Sequence, residues 1–326
     1  MRPMWLVGSG SLWVLLLLSA SSRLPVVRRT QQPGPAGDTE QESTALGARL
    51  FFDPILSADR AVACASCHDP AKGFADSRRF SAGVRGQLAT RNTPTLLNRA
   101  LGSSFMWDGR AASLEEQALL PIENPLEMAL PLAEALARLA DDPGYRAGFQ
   151  QAFSRPPDRD GLARALASYV RSLVLGQSTV DRFRAGDFAA LADDERAGLW
   201  FYESRGGCWR CHSGSNFSDE EFHDTGIGAL DGRPEEGRFA VTGREQDRGR
   251  FKTPTLRGLL RTAPYMHDGS LSSLEEVIAF YRAGGRANSN LDPLVQPIEM
   301  SDADAQHLLA LLLALSREAE PAAPAR

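Results

Sequence analysis

The sequence predicts a mainly α protein of two related domains with long loops, and three observations predict it. Apolar residues recur at helical spacing in several stretches, β-branched runs and period-two alternation are scarce, and the chain repeats itself. With 326 residues, 43% of them hydrophobic, it is long enough for about two domains, each with a core. A formal net charge of −5 supplies no basic field of the kind nucleic acid would need.

Taken in order, the chain opens with Met1-Arg2 and an apolar run from Met4 to Ala20, followed by Ser21-Ser22. This is the layout of a secretory signal peptide over residues 1–22, which would deliver the chain to the periplasm. The competing reading is an uncleaved membrane anchor, because the run is near the lower limit for spanning and Arg23, Arg28 and Arg29 follow it. Residues 23–43, rich in Gln, Pro, Gly and acids, read as a linker. A first domain is expected over 44–182, in which Asp160 to Leu175 sets Leu162, Leu166, Tyr169, Val170 and Leu173 on one helix face. The two domains should join near Thr179 to Asp194. The second, 183–317, contains a long Gly-, Pro- and Arg-rich loop from Gly226 to Lys252. Its last helix opens with a Ser301-Asp302-Ala303-Asp304 cap and continues into Leu308, Leu309, Leu312, Leu313 and Leu315. Residues 318–326 form a tail.

The repeat links the two domains. Thr93-Pro94-Thr95-Leu96 returns as Thr253-Pro254-Thr255-Leu256, Met106-Trp107-Asp108-Gly109 as Met266-His267-Asp268-Gly269, and Ser113-Leu114-Glu115-Glu116 as Ser273-Leu274-Glu275-Glu276, all at an offset of 160. All four cysteines fall in two further motifs, Cys64-Ala65-Ser66-Cys67-His68 and Cys208-Trp209-Arg210-Cys211-His212, offset by 144. Two thiols at this spacing add to the two vinyl groups of one haem, and the adjacent histidine reaches its iron. A zinc site built from the two Cys pairs would have to close over 144 residues, and a redox disulfide needs neither the histidine nor a second copy. Structural disulfides across two residues would be strained. The sequence therefore points to two covalently bound haem c groups, with His68 and His212 as proximal ligands, in two cytochrome c-like haem domains.

With these motifs in hand, the sequence resembles the bacterial di-haem cytochrome c peroxidases, including their MauG branch. The resemblance runs from about Ala45 to Ser316. Besides the haem motifs it rests on Leu50-Phe51-Phe52-Asp53-Pro54, Arg91-Asn92-Thr93-Pro94-Thr95, Trp107-Asp108-Gly109-Arg110, Leu114-Glu115-Glu116-Gln117, Pro264-Tyr265-Met266-His267-Asp268-Gly269 and Leu274-Glu275-Glu276. It implies that the N-terminal haem binds hydrogen peroxide and the C-terminal one stores and relays electrons. It also implies a small electron-donor protein, a cytochrome c or a cupredoxin, as partner, and leaves a homodimer as an open expectation. The family's distal glutamine and glutamate match Gln117 and Glu127. The chemistry agrees, since a carboxylate can shuttle the peroxide proton and an amide can hold peroxide without titrating. Trp107 matches the tryptophan between the haems. Asn92, with backbone oxygens of Thr262 and Pro264, matches a calcium site, a donor set of hard oxygens.

Two positions depart from the usual pattern. Val84, in Ser81-Ala82-Gly83-Val84, stands where many members carry a histidine on the first iron, and no histidine occurs between His68 and His212. The first haem is therefore expected to be open without prior reduction. Tyr281 stands where many members carry a methionine ligand to the second iron, as in MauG-like proteins. Subtracting 160 gives Pro121, just after Gln117, which puts Tyr281 on the matching side of the second haem; Met266 is the rival ligand. The leading function is reduction of hydrogen peroxide to water. The alternatives are a MauG-like oxidase acting on a protein and a non-catalytic di-haem electron carrier. Against the MauG role, Gly206 stands where the partner-oxidising surface tryptophan is expected.

Overall fold

Helix α1 (Asp38–Phe52) begins inside the segment whose composition reads as linker. The Gln and Glu residues that suggested a linker are good helix formers, and Glu40 suits the positive end of a helix dipole. The computed structural model describes residues 38–317; the signal or anchor segment, most of the linker and the tail lie outside the described residues.

In the first half α1 is followed by the 3-10 turn that carries Cys64, then by α2 (Leu114–Glu123), α3 (Leu132–Asp141), α4 (Pro143–Phe153) and α5 (Arg159–Ser172). The face foreseen on α5 is buried throughout: Leu162, Leu166, Tyr169, Val170 and Leu173 all pack inside. Helix α1 crosses it at Gly47, where an added Cβ would stand 1.9 Å from the carbonyl oxygen of Ala165. Only hydrogen fits at that crossing.

The second half repeats the crossing. Helices α6 (Thr179–Arg184), α7 (Asp193–Glu203), α8 (Phe239–Thr242), α9 (Leu274–Arg282) and α10 (Asp302–Ala314) complete the helical set among the described residues. There α7 meets α10 at Gly198, whose Cβ would stand 2.0 Å from the His307 carbonyl oxygen. The Ser301 cap forms as foreseen, in a capping box with Asp304. Leu308, Leu312 and Leu315 are buried, and so is Leu311, which lies beneath Gly198 and was not on the predicted face. A two-stranded antiparallel ribbon, β1 (Phe222–His223) with β2 (Phe251–Lys252), borders the second haem motif. Leu175 packs in a first-half core and Val180 in the second-half core, so the chain passes from one to the other across Gly176–Thr179. No helix among the described residues is long and apolar enough to cross a membrane.

Candidate active site

Each haem motif folds as a 3-10 turn that closes on its histidine. The His68 and His212 amides both donate to the carbonyl of the first cysteine of their motif, at 2.9 Å. His68 Nδ1 lies 3.0 Å from the Phe74 carbonyl and His212 Nδ1 lies 3.1 Å from the Phe217 carbonyl. A carbonyl only accepts, so each Nδ1 carries the proton and each Nε2 keeps its lone pair for a metal. Burial lowers the basicity of both imidazoles, which favours that neutral form.

The repeat explains how those carbonyls are aimed. Phe74 and Phe217 both take left-handed backbone, with φ of 55° and 50°. The residue before each is held by a repeat threonine: Thr95 Oγ1 donates to the Gly73 carbonyl at 2.5 Å, and Thr255 Oγ1 to the Asn216 carbonyl at 2.7 Å. Thr-Pro-Thr-Leu therefore recurs because each proximal histidine needs the same brace. The other repeats also share local structure. Met106 and Met266 both have positive φ, and Ser113 and Ser273 both cap the helix they precede by accepting from Glu116 and Glu276.

Around the first motif the chain encloses a cavity of about 580 Å³, its mouth included, lined by Cys64, Cys67, His68, Gln117, Pro121 and Glu127 with apolar walls that include Phe51 and Leu166. The sequence-predicted Gln117 and Glu127 are thus brought to His68 from helix α2 and the loop after it. Asn124 Nδ2 donates to Glu127 Oε1 at 2.7 Å and fixes the carboxylate. Burial pushes the Glu127 carboxyl above its ordinary range, against the opposing pull of Arg110. Asn124 and Arg110 were not foreseen in these roles; the Asn-X-X-Glu spacing was the available signal for the first. Val84 is fully buried, and its amide donates to the Glu127 carbonyl at 2.8 Å. A Cβ on Gly83 would stand 2.1 Å from the Leu126 carbonyl, so the Ser81–Val84 loop lies tight beneath the glutamate segment.

The cradle fits a haem bound at Cys64 and Cys67. All four cysteines are free thiols, which removes the disulfide reading; burial pushes the Cys64 thiol up to about 12 and the Cys208 thiol up to about 11. At the second motif the Tyr202 hydroxyl donates to the His212 carbonyl. The Tyr281 phenol is pushed up by burial and by the neighbouring charges of Cys211 and Cys208, which locates it at this motif. Met266, its rival, sits in the same left-handed loop position as Met106.

Trp107 lies apart from the cavity lining. Its Nε1 donates to the Asn92 carbonyl at 2.8 Å, and its ring meets His267 edge-on at 6.3 Å. His267 stacks on Phe251 at 3.5 Å and pairs with Glu235. Asn92 is buried, and its Nδ2 donates to the Arg78 and Arg79 carbonyls at 3.2 Å, leaving Oδ1 as its donor for a cation. The Thr262 amide and hydroxyl bond to Leu259, and no hydrogen bond joins Thr262 or Pro264 to Asn92 among the described residues. His223 stands between Asp292 at 2.8 Å and Asp219 at 3.1 Å, and carboxylates on both nitrogens hold it as a cation, pushed up to about 11.

Comparisons with known proteins bear on the family. The family profile described as "Di-haem cytochrome c peroxidase" matches residues 41–189. The chain is 42% identical to the methylamine utilization protein MauG of Methylorubrum extorquens, over 86% of this chain and 80% of that protein. It is 37% identical to the cytochrome c551 peroxidase of Nitrosomonas europaea, over 79% of this chain and 78% of that protein. Among solved structures, a MauG-like protein associated with microbial copper homeostasis superposes with a TM-score of 0.79 at 31% identity, covering 90% of this chain and 95% of that one.

Proposed function

Because this chain belongs to the di-haem cytochrome c peroxidase and MauG family, an oxidoreductase family with two c-type haems, we propose that it reduces hydrogen peroxide to water with electrons from a small redox protein. The observation that carries this reading is the meeting of Gln117 and Glu127 with His68 in one cavity. The haem held by Cys64, Cys67 and His68 supplies, when bound, an iron site for peroxide and for electron transfer to it. Gln117 orients peroxide by hydrogen bonding. Glu127 accepts the proton from one peroxide oxygen and returns it to the other as the O–O bond breaks; two electrons and two protons complete two waters. Burial of Glu127 suits this exchange, since it brings the carboxyl nearer the operating pH. Val84 is packed in the core and offers no ligand, so this position would leave the first haem open to peroxide.

Cys208, Cys211 and His212 would hold the second haem, and Tyr281 would supply a phenol oxygen to its iron. Trp107, bridged to His267 and Phe251, relays electrons between the two. A calcium ion on Asn92 Oδ1 with the Thr262 and Pro264 carbonyls, two haem domains that meet where the chain crosses Gly176–Thr179, and a periplasmic location complete the proposal. The donor is a cytochrome c or a cupredoxin. The test is steady-state turnover: peroxide-dependent oxidation of a reduced small cytochrome c or cupredoxin supports the reading, and no oxidation of either class of donor contradicts it.

A second reading, oxidation of a protein substrate, is favoured by Tyr281 and by the identity to MauG. Gly206 weighs against it. It is buried, and a Cβ there would stand 2.6 Å from the Phe201 ring, so this position has no room for an exposed tryptophan.

A further inference from the structure

We propose that Lys252, backed by Arg99, is a fixed cation that pairs with a propionate carboxylate of the haem attached at Cys208 and Cys211. A buried charge cluster takes no part in the peroxide chemistry. Arg99, from the first half, holds both oxygens of Glu220, at 2.9 and 3.1 Å. Glu220 also accepts from the Ser103 amide and sits in left-handed backbone with φ of 59°, a conformation a glutamate adopts only where its surroundings impose it. Lys252 reaches the same carboxylate at 3.4 Å, beyond the usual range for such a bond. Its side chain is only 8% exposed.

An ammonium has three donors, and among the described residues this one has a single, long, already shared acceptor. Burial and Arg99 together lower the Lys252 ammonium to about 8. Asp219, a further anion whose charge acts on Lys252, is bonded to His223. Two buried cations on one carboxylate call for another anion.

The second haem is the fitting source. The Asp219 amide donates to the Cys211 carbonyl at 2.7 Å, so Glu220 follows directly from the second haem motif, and the Lys252 amide donates to the Trp107 carbonyl at 2.8 Å. The repeat gives an independent reason. Adding 160 to Asn92 gives Lys252, and subtracting 160 from Thr262 and Pro264 gives Gly102 and Ser104. Arg99 donates to the Ser104 carbonyl at 2.9 Å and packs where a Cβ of Gly102 would be. The place that pairs by repeat with the proposed metal-binding residues is thus filled by the chain's own two cations.

The test is a redox titration with resonance Raman spectra of the protein carrying both haems. Lys252→Met should lower the potential of one haem couple, the one that Tyr281→Phe also moves, and shift the propionate bending bands. The other couple should stay in place, and Lys252→Arg should restore the parent values. Unchanged potential and bands in a fully loaded Lys252→Met protein would overturn the proposal, as would equal shifts of both couples. If that variant loses haem, Lys252→Gln, which keeps length and a donor without the charge, must show the shift; loss of the second haem from Lys252→Arg too would mean a packing role and overturn the assignment. The proposal rests on haem attachment and not on peroxide turnover, so an inactive protein with the predicted shift would contradict only the peroxidase reading.

Discussion

The two halves share a scaffold and differ in the residues set around each histidine, which decide what each can do. Both cross a pair of helices at a glycine with no room for a methyl group, both brace a proximal histidine on a left-handed phenylalanine carbonyl, and both aim that carbonyl with a repeat threonine. At the positions related by 160, Pro121 lines the first cavity, whereas Tyr281 brings a buried phenol to Cys208 and Cys211. A proline ring leaves space and has nothing to coordinate. A phenol occupies space and offers an oxygen. A duplicated fold can thus yield one reactive and one electron-storing site by changing the contents of the distal side while the proximal side is kept.

The two halves should differ most in their dependence on Glu127. Glu127→Gln should lower peroxide turnover by about 10²–10⁴-fold, the usual contribution of a general acid–base group, with both haems retained. Because burial raises the Glu127 carboxyl, its carboxylate form is lost on acidification at a higher pH than for an exposed glutamate. Parent turnover should therefore fall as pH drops through that raised range, and a pH profile of the Gln variant should lack this acid limb.

Next, Tyr281→Phe should open the second site. A cyanide titration should rise from one ligand per chain to two, whereas an unchanged stoichiometry would leave Met266 or another residue as the ligand. At the helix crossings, Gly47→Ala and Gly198→Ala should each destabilise the haem-loaded protein by about 1–3 kcal/mol in reversible denaturation, as overpacked cores do. Similar losses would support equivalent crossings; a loss at only one would mean that the other half relaxes around the methyl group. The smallest effect is at the braces: Thr95→Val and Thr255→Val should each cost about 1 kcal/mol, the worth of a typical hydrogen bond, measured the same way.

Much of this was legible in the sequence. The α5 face, the Ser301 cap, both haem motifs and the 160-residue repeat are local patterns, and local patterns survive reading in one dimension. The meeting of Gln117, Glu127 and His68 was legible only through resemblance, because the residues come from separate segments. The helix crossings were missed, although Gly47 with Phe51 and Gly198 with Tyr202 share a Gly-X-X-X-aromatic spacing at an offset of 151. This offset differs from the 160 of the loop repeats, because insertions between the helices and the loops shift the register. The start of α1 was misread because composition alone does not separate a polar helix from a polar linker. The Arg99–Glu220–Lys252 cluster had no sequence signal, since it joins three distant segments through charges that on a surface would be ordinary.

With Val84 in the core and, among the described residues, no histidine but His68 lining the cavity, the first site should be open in the resting, fully oxidised protein. Stopped-flow absorbance of the fully ferric protein mixed with one equivalent of hydrogen peroxide tests it most directly. Rapid loss of the ferric Soret band is expected with no electron added beforehand. A protein that stays unchanged until one electron is supplied would contradict it, and would mean that a ligand from elsewhere in the chain closes the His68 haem.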